Sequence, residues 1–326
     1  MQNTNIFAYL IFLIFSFCTA AYFEKKLLSV LSGKASQPIY GDGPSWHSKK
    51  SGTPTLGGLA FLVTSLLCLV LSSILYHLSI YDISVHLSII ISLAYSIANS
   101  LVGIFDDYTK LKRKINAGLT PMQKLVFQFI LTVLFLMARA YFLLDNTSVS
   151  VFSLNIDLGI LYYPFAILLL LGIVNCANLT DGIDGLASSV AFAIGIVFFF
   201  ISESTSPDSA ILSTCLCGIS LAFLFYNVNP AKIFMGDTGS LFLGALCSCV
   251  AFSLRKPLLI VIVGGVYVIE GISVILQVLW FKLTEKRIFL MAPIHHHLEK
   301  RGFDENKICL IALFTTLVLS IFAIYL

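Results

Sequence analysis

The sequence predicts an all-α, polytopic integral membrane protein with about ten transmembrane helices. Apolar runs of roughly 20 residues, the length that spans a bilayer as a helix, recur along the whole chain. Charged residues make up only 11% of it, against about 25% in an average soluble domain, and mean hydropathy is +0.94. The runs do not alternate polar and apolar residues, which excludes a closed β-barrel.

The spans fall at 6–24, 54–76, 85–105, 125–144, 159–175, 186–202, 209–227, 239–254, 258–280 and 308–325. The first run, Ile6 to Phe23, lacks a basic leader and a small-residue cleavage site, so it reads as a retained helix and not a signal peptide. Gly43–Gly58 (GPSWHSKKSGTPTLGG) enters the second span, and Gly103–Lys114 (GIFDDYTKLKRK) ends the third. Asn175–Ser189 (NCANLTDGIDGLASS) joins the fifth to the sixth, Asn229–Ser240 (NPAKIFMGDTGS) opens the eighth, and Met291–Gly302 (MAPIHHHLEKRG) lies between the last two. No repeat or soluble domain interrupts this pattern, so residues 1–326 are read as one transmembrane domain.

Loops after odd-numbered spans carry 17 of the 20 Lys and Arg; only Arg139, Arg255 and Lys256 lie elsewhere. That bias puts those loops in the cytoplasm and, with an even number of spans, both termini outside. All five polar stretches then share the cytoplasmic face. Such one-sidedness predicts a surface active site; a transporter would carry ionisable groups through the full depth. A net charge of +3 gives no argument for nucleic acid. The eight cysteines form no CxxC pair and lie mostly in apolar runs, as small hydrophobes do.

Asp106 and Asp107 are adjacent where the third span ends. Neighbouring carboxylates at a membrane edge repel and are costly to bury. A divalent cation relieves both problems; a solvated helix end with i,i+4 ion pairs to Lys110 is the competing reading. Asn175, Asn178, Asp181 and Asp184 recur every third residue. On one α-helix each such step drifts by about 60°, so the four form a polar ledge suited to a ribose, a base edge or a metal. Helix capping explains one Asp but not four residues in register. Asp237, between Gly236 and Gly239, is either a cap or a metal ligand at a helix N-terminus that favours anions. Phe234 is core or a stacking platform. His295, His296 and His297 are consecutive and cannot easily face one zinc ion; they bind phosphate or belong to a solvated basic loop. Glu270 and Gln277, seven residues apart in the ninth span, share a face; an interhelical hydrogen bond is the preferred reading for Glu270. Acidic stretches beside basic ones on one membrane face suit magnesium-assisted pyrophosphate chemistry on a lipid. No Walker loop, GxGxxG, GxSxG or HExxH is present.

GIFDDYTK, NCANLTDGIDGLA, IFMGDTGSLFLG and MAPIHHHLEKRG resemble, in order and over nearly the whole chain, the motifs of the polyprenyl-phosphate N-acetylhexosamine-1-phosphate transferases. GPSWHSKKSGTPTLGG and MAPIHHHLE are similar to the branch that uses UDP-MurNAc-pentapeptide; relatives that use UDP-GlcNAc carry a shorter His-x-His-His pattern. Tyr40 stands where the family often has Arg, and Leu56 where Met is usual. The resemblance implies ten helices, a homodimer in the bacterial cytoplasmic (inner) membrane, and Mg²⁺-dependent catalysis on the cytoplasmic face. The reaction it implies joins UDP-MurNAc-pentapeptide and undecaprenyl phosphate into lipid I and UMP. It makes Asp237 a magnesium ligand, has Asp107 assist the metal or pyrophosphate, and has Asp106 act on the lipid phosphate. Lys124, His296 and His297 would support phosphate or catalysis, with His295 on the substrate. Asn178, Asp181, Asp184, Phe234 and Gln277 would hold the nucleoside, Phe234 against uracil, and Lys50 and Thr55 would line the same pocket.

Overall fold

The computed structural model describes residues 2–33, 52–113, 118–151 and 154–323. Lys50, Tyr40 and most of the Gly43–Gly58 stretch lie outside the described residues. Twelve α-helices are numbered in chain order: α1 (Gln2–Leu31), α2 (Gly58–His77), α3 (Ile83–Arg113), α4 (Pro121–Ala138), α5 (Tyr162–Thr180), α6 (Leu186–Ser202), α7 (Pro207–Asn227), α8 (Gly236–Ser253), α9 (Leu259–Val263), α10 (Gly265–Thr284), α11 (Ile294–Lys300) and α12 (Glu305–Ala323). Among the described residues, nine helices are long and apolar enough to cross a membrane, and α6 adds a shorter apolar one of 17 residues. The chain is an all-α, multi-pass membrane protein.

The structure differs from the sequence expectation in three places. α3 runs on to Arg113 and α5 to Thr180, past the expected span ends at 105 and 175, so Asp106, Asp107 and Asn178 stand on the last turns of their helices. The expected span 258–280 is broken into α9 and α10 at the Gly264–Gly265 pair, the kind of step that interrupts a helix. A small antiparallel hairpin, β1 (Ser148–Val151) with β2 (Leu154–Asp157), occupies the connection after α4.

α8 is the centre of the bundle: every residue from Thr238 to Ser253 is buried, and α3, α5, α2 and α7 pack around it. α3 meets it along a stripe of small side chains, Ser88, Ser92, Ser96 and Ser100, four residues apart and all buried. Such stripes let helix backbones approach where lipid supplies no hydrophobic drive. Cross-links follow the stripe: Ser88 and Ser253 hydroxyls at 3.2 Å, Cys249 Sγ to Ser92 O at 3.5 Å, and Ser100 Oγ to Thr238 O at 2.9 Å. At Gly103 the approach is closest; a Cβ there would stand 2.3 Å from the Asp237 carbonyl oxygen. The next turn of α3 then puts Asp107 under the start of α8. Its Oδ1 accepts the Asp237 N–H (3.1 Å), and its Oδ2 accepts the Thr238 N–H (2.9 Å) and hydroxyl (2.7 Å). A side chain from one helix thus caps another, satisfying N–H groups that α8 leaves unpaired and facing its positive end.

The opposite end of the same helix pair is also polar. Arg139, buried just after α4, donates to Asp145 (2.6 Å) and to the Phe252 carbonyl (2.8 Å). The two polar ends are separated by the length of α8, about 27 Å at 1.5 Å per residue, so residues from many helices converge at each.

Replacing Asp107 by Ala removes the cap and is expected to cost about 0.5–2 kcal/mol, read as a lower thermal midpoint in detergent. Asp107→Asn, which keeps one acceptor oxygen, is expected to lose less; equal midpoints for all three proteins would contradict the capping role.

Candidate active site

The site is assembled from helix ends. α3 supplies Asp106, Asp107 and Lys110 from its last turns, and α8 supplies Asp237 from its first. α5 supplies Asn178, and α4 supplies Lys124 one turn beyond a capping box formed by Thr120 and Gln123 with Pro121 between them. Asp106, Asp107 and Asp237 each offer a carboxylate oxygen within 4.8 Å of the others.

Two ammonium groups bind this cluster together. Lys110 Nζ lies 2.6 Å from Asp106 Oδ2, 3.3 Å from Asp237 Oδ2 and 3.9 Å from Asp107 Oδ1. Lys124 Nζ lies 3.2 Å from Asp106 Oδ1 and donates to Asp237 Oδ2. The Leu119 N–H donates to Asp106 Oδ1 at 2.8 Å, which fixes that carboxylate from the loop before α4. Asn178 Nδ2 donates to Asp237 Oδ1 (3.1 Å) and to Ser240 Oγ (2.8 Å). Three carboxylates against two lysines leave one negative charge in a buried site.

Hard oxygen donors at this spacing are what magnesium takes from a protein. Asp106 Oδ2 is buried with the Lys110 ammonium against it at 2.6 Å, a cation contact that a metal ion could replace. The donor set therefore fits a divalent cation, with Asp237 and Asp106 the carboxylates least committed to the fold and Asp107 tied to the α8 N-terminus.

Around this centre lies a second layer. Thr55 is buried with its hydroxyl unpartnered, and a Cβ on Gly236 would touch both it and Asp107 Oδ2. Phe234 is half-buried and held by its backbone, donating to Pro54 O (2.8 Å) and accepting from Gly57 N (2.9 Å). Thr55, Phe234 and Asp237 are thereby brought to one edge. Asp181 ends α5. Burial raises its carboxyl well above the usual carboxylate range, and repulsion from Asp237, Asp107 and Asp184 raises it further.

Not all four residues of the expected ledge stay in register. α5 stops at Thr180, and Gly185, at φ +81°, starts α6. Asn175 donates to Gln128 on α4 (2.9 Å). Asp184 Oδ2 accepts from Asn229 Nδ2 (3.2 Å) and Ala231 N (2.9 Å), while its N–H donates to Glu305 (2.8 Å). Asn178 reaches the centre; Asp181 follows directly on the end of α5, and Asn175 and Asp184 hold helices and loops together.

The three histidines take different partners. His295 is fully buried beside Glu270. His296 Nδ1 meets Glu299 Oε2 at 2.6 Å. His297 Nδ1 accepts the Leu290 N–H at 3.1 Å; burial, and then the charge of Arg301, holds its imidazole below the ordinary range. Gln277 Oε1 accepts the N–H groups of Ile288 (3.1 Å) and Phe289 (2.9 Å), so it orders the loop after α10. Beside it a cavity of about 610 Å³ is lined by Lys282, Arg287 and Lys300 among apolar side chains of α10. Lys110 is the member of the centre that motif reading least emphasised, although its i+4 spacing from Asp106 was the available signal.

Residues 88–255 match the model of glycosyl transferase family 4. The phospho-N-acetylmuramoyl-pentapeptide-transferase of Caldicellulosiruptor bescii is 41% identical over 292 residues, covering 89% of this chain and 88% of that protein. That of Bacillus subtilis is 40% identical, with 90% and 89% covered. That of the Wolbachia of Brugia malayi is 38% identical, with 95% of each covered. Similarity at this level over nine-tenths of the length means that the chain belongs to the phospho-N-acetylmuramoyl-pentapeptide-transferase family.

Proposed function

We propose that this protein is the bacterial phosphoglycosyl transferase that moves phospho-MurNAc-pentapeptide from UDP-MurNAc-pentapeptide to undecaprenyl phosphate, releasing UMP and forming lipid I. The observation that carries the reading is the convergence of Asp106, Asp107 and Asp237 with Lys110, Lys124 and Asn178 at the joined ends of α3, α4, α5 and α8. The site faces the cytoplasm of the inner membrane, supported by the loop distribution of Lys and Arg, and the protein works as a homodimer, as the family resemblance implies.

In this reaction a lipid phosphate oxygen forms a bond to the β-phosphorus, and the bond from that phosphorus to the bridging oxygen breaks, with UMP leaving. A phosphate monoester has a second pKa of about 6, so at neutral pH much of the acceptor is already a dianion and needs little activation. The difficulty is bringing two anions together. Mg²⁺, held by Asp237 with Asp106 or Asp107, would screen the pyrophosphate and stabilise the leaving phosphate. Lys110 and Lys124, now paired with the carboxylates, have phosphate oxygens as alternative partners once charge enters the site. Asp106 positions the acceptor phosphate or takes its remaining proton. Its contacts to Leu119 N–H and both lysines favour that role over a covalent one. Asn178, Asp181, Thr55 and Phe234 border the nucleoside, with Phe234 as the uracil platform; Lys50, Gln277, His296 and His297 complete the substrate shell, and Asp184 and His295 support it from behind.

Purified protein given Mg²⁺, undecaprenyl phosphate and each UDP-sugar in turn is expected to release UMP only with UDP-MurNAc-pentapeptide; UMP release with UDP-GlcNAc instead would assign the other branch. Asp237→Asn is expected to lower turnover by about 100-fold or more, and full metal-dependent activity in that variant would remove Asp237 from the ligand set. Phe234→Ala is expected to raise KM for the nucleotide by about tenfold, the value of one base–aromatic stack, with KM for the lipid unchanged. A sugar-phosphate adduct trapped on Asp106 would replace direct transfer by a two-step route.

A further inference from the structure

We infer that Glu270 is a positioning residue for the transfer, acting through His295 on the turn Asp181–Gly185. The inference rests on the reading that this turn borders the nucleotide.

A carboxylate inside a membrane helix is costly and needs a reason to be there. Glu270 lies on α10, only 3% exposed. The helix is pressed onto α5 at the next residue, where a Cβ on Gly271 would stand 2.2 Å from Cys176 Sγ. Glu270 is thus fixed against the helix that ends in the turn.

One oxygen of Glu270 holds His295 twice. Oε2 accepts the His295 backbone N–H at 3.3 Å and lies 3.1 Å from its Nδ1. A carboxylate can only accept, so Nδ1 is the donor in this contact, and Nε2 is the ring atom left to face elsewhere. The ring cannot rotate without breaking that bond, because the backbone is held by the same oxygen.

The other ring nitrogen points at the turn. A Cβ on Gly182 would stand 2.2 Å from His295 Nε2, so the ring edge abuts backbone next to Asp181. Nε2 is buried and has no hydrogen-bond partner. Buried polar atoms are nearly always partnered. A dyad serving the fold alone would satisfy both nitrogens; here one is left open toward the substrate turn. His295 also fixes its neighbour, with the His295 and His296 rings 4.2 Å apart at 60°. Glu270 thereby ties the start of α11 to the turn that follows α5.

The test measures UMP binding by calorimetry and steady-state kinetics with each substrate varied, for Glu270→Ala, Glu270→Gln and Asp181→Asn. Glu270→Ala is expected to weaken UMP binding and raise KM for UDP-MurNAc-pentapeptide by about tenfold, the size of effect seen when the carboxylate behind a metal-bound histidine is lost, with KM for undecaprenyl phosphate unchanged. Glu270→Gln, which keeps an oxygen for Nδ1–H, is expected to recover most of the loss. Should Glu270→Ala not fold, His295→Asn is expected to show the same split. A Glu270→Ala protein with less folded material but unchanged KM values and UMP affinity would overturn the inference, as would an equal rise in both KM values. If Asp181→Asn leaves UMP binding intact while Glu270→Ala weakens it, the relay stands and the assignment of Asp181 falls; the reverse result removes the relay and leaves the turn.

Discussion

The bond set on which the rest of the structure depends is the one between Asp107 and the first turn of α8. It joins two long helices at their ends, fixes the rotation of α8 about its axis, and so decides where Asp237 points. The stripe of serines on α3 makes the bond possible by letting the backbones close, and Gly103 removes the last obstacle one turn earlier. Everything functional is then added to this junction: Lys124 from α4, Asn178 from α5, and Thr55 with Phe234 from the strand-like contact before α2.

A site of this kind must solve an electrostatic problem before it has a substrate. Three carboxylates gathered at a membrane edge repel, and each loses water. Lys110 and Lys124 offset that repulsion in the structure as it stands. Burying paired charges is rarely a net source of stability, so the arrangement is better understood as a held position than as glue. A divalent ion or a pyrophosphate can exchange for these internal pairs with little movement, because the partners that set the geometry, the Leu119 N–H, the α8 N-terminus and Asn178, are neutral and stay in place.

The helices and the identity of the acidic residues could be read from the sequence because both leave local marks: long apolar runs, and charges where such runs end. Asp106 with Asp107, and Asp237 between glycines, stand out for that reason. The equal spacing of Asn175, Asn178, Asp181 and Asp184 was misleading as geometry. The helix ends at Thr180, between the second and third members, and the next begins only after Gly185; spacing alone does not say where a helix stops. The three histidines look alike in sequence but take different partners, Glu270, Glu299 and the Leu290 N–H, because each successive residue on α11 turns about 100°. The serine stripe on α3 is invisible to averaged hydropathy, which registers it only as a slightly weaker span. The pairing of Glu270 with His295 bridges 25 residues and two elements, and nothing local announces it.

The claim at the centre is that a divalent ion sits where α3 and α8 meet. Crystals grown with Mn²⁺ in place of Mg²⁺ would locate it by anomalous scattering. The account predicts one strong peak within coordination distance of the Asp237 carboxylate and of Asp106 or Asp107. A peak elsewhere, with those carboxylates still bound only to Lys110 and Lys124, would contradict it.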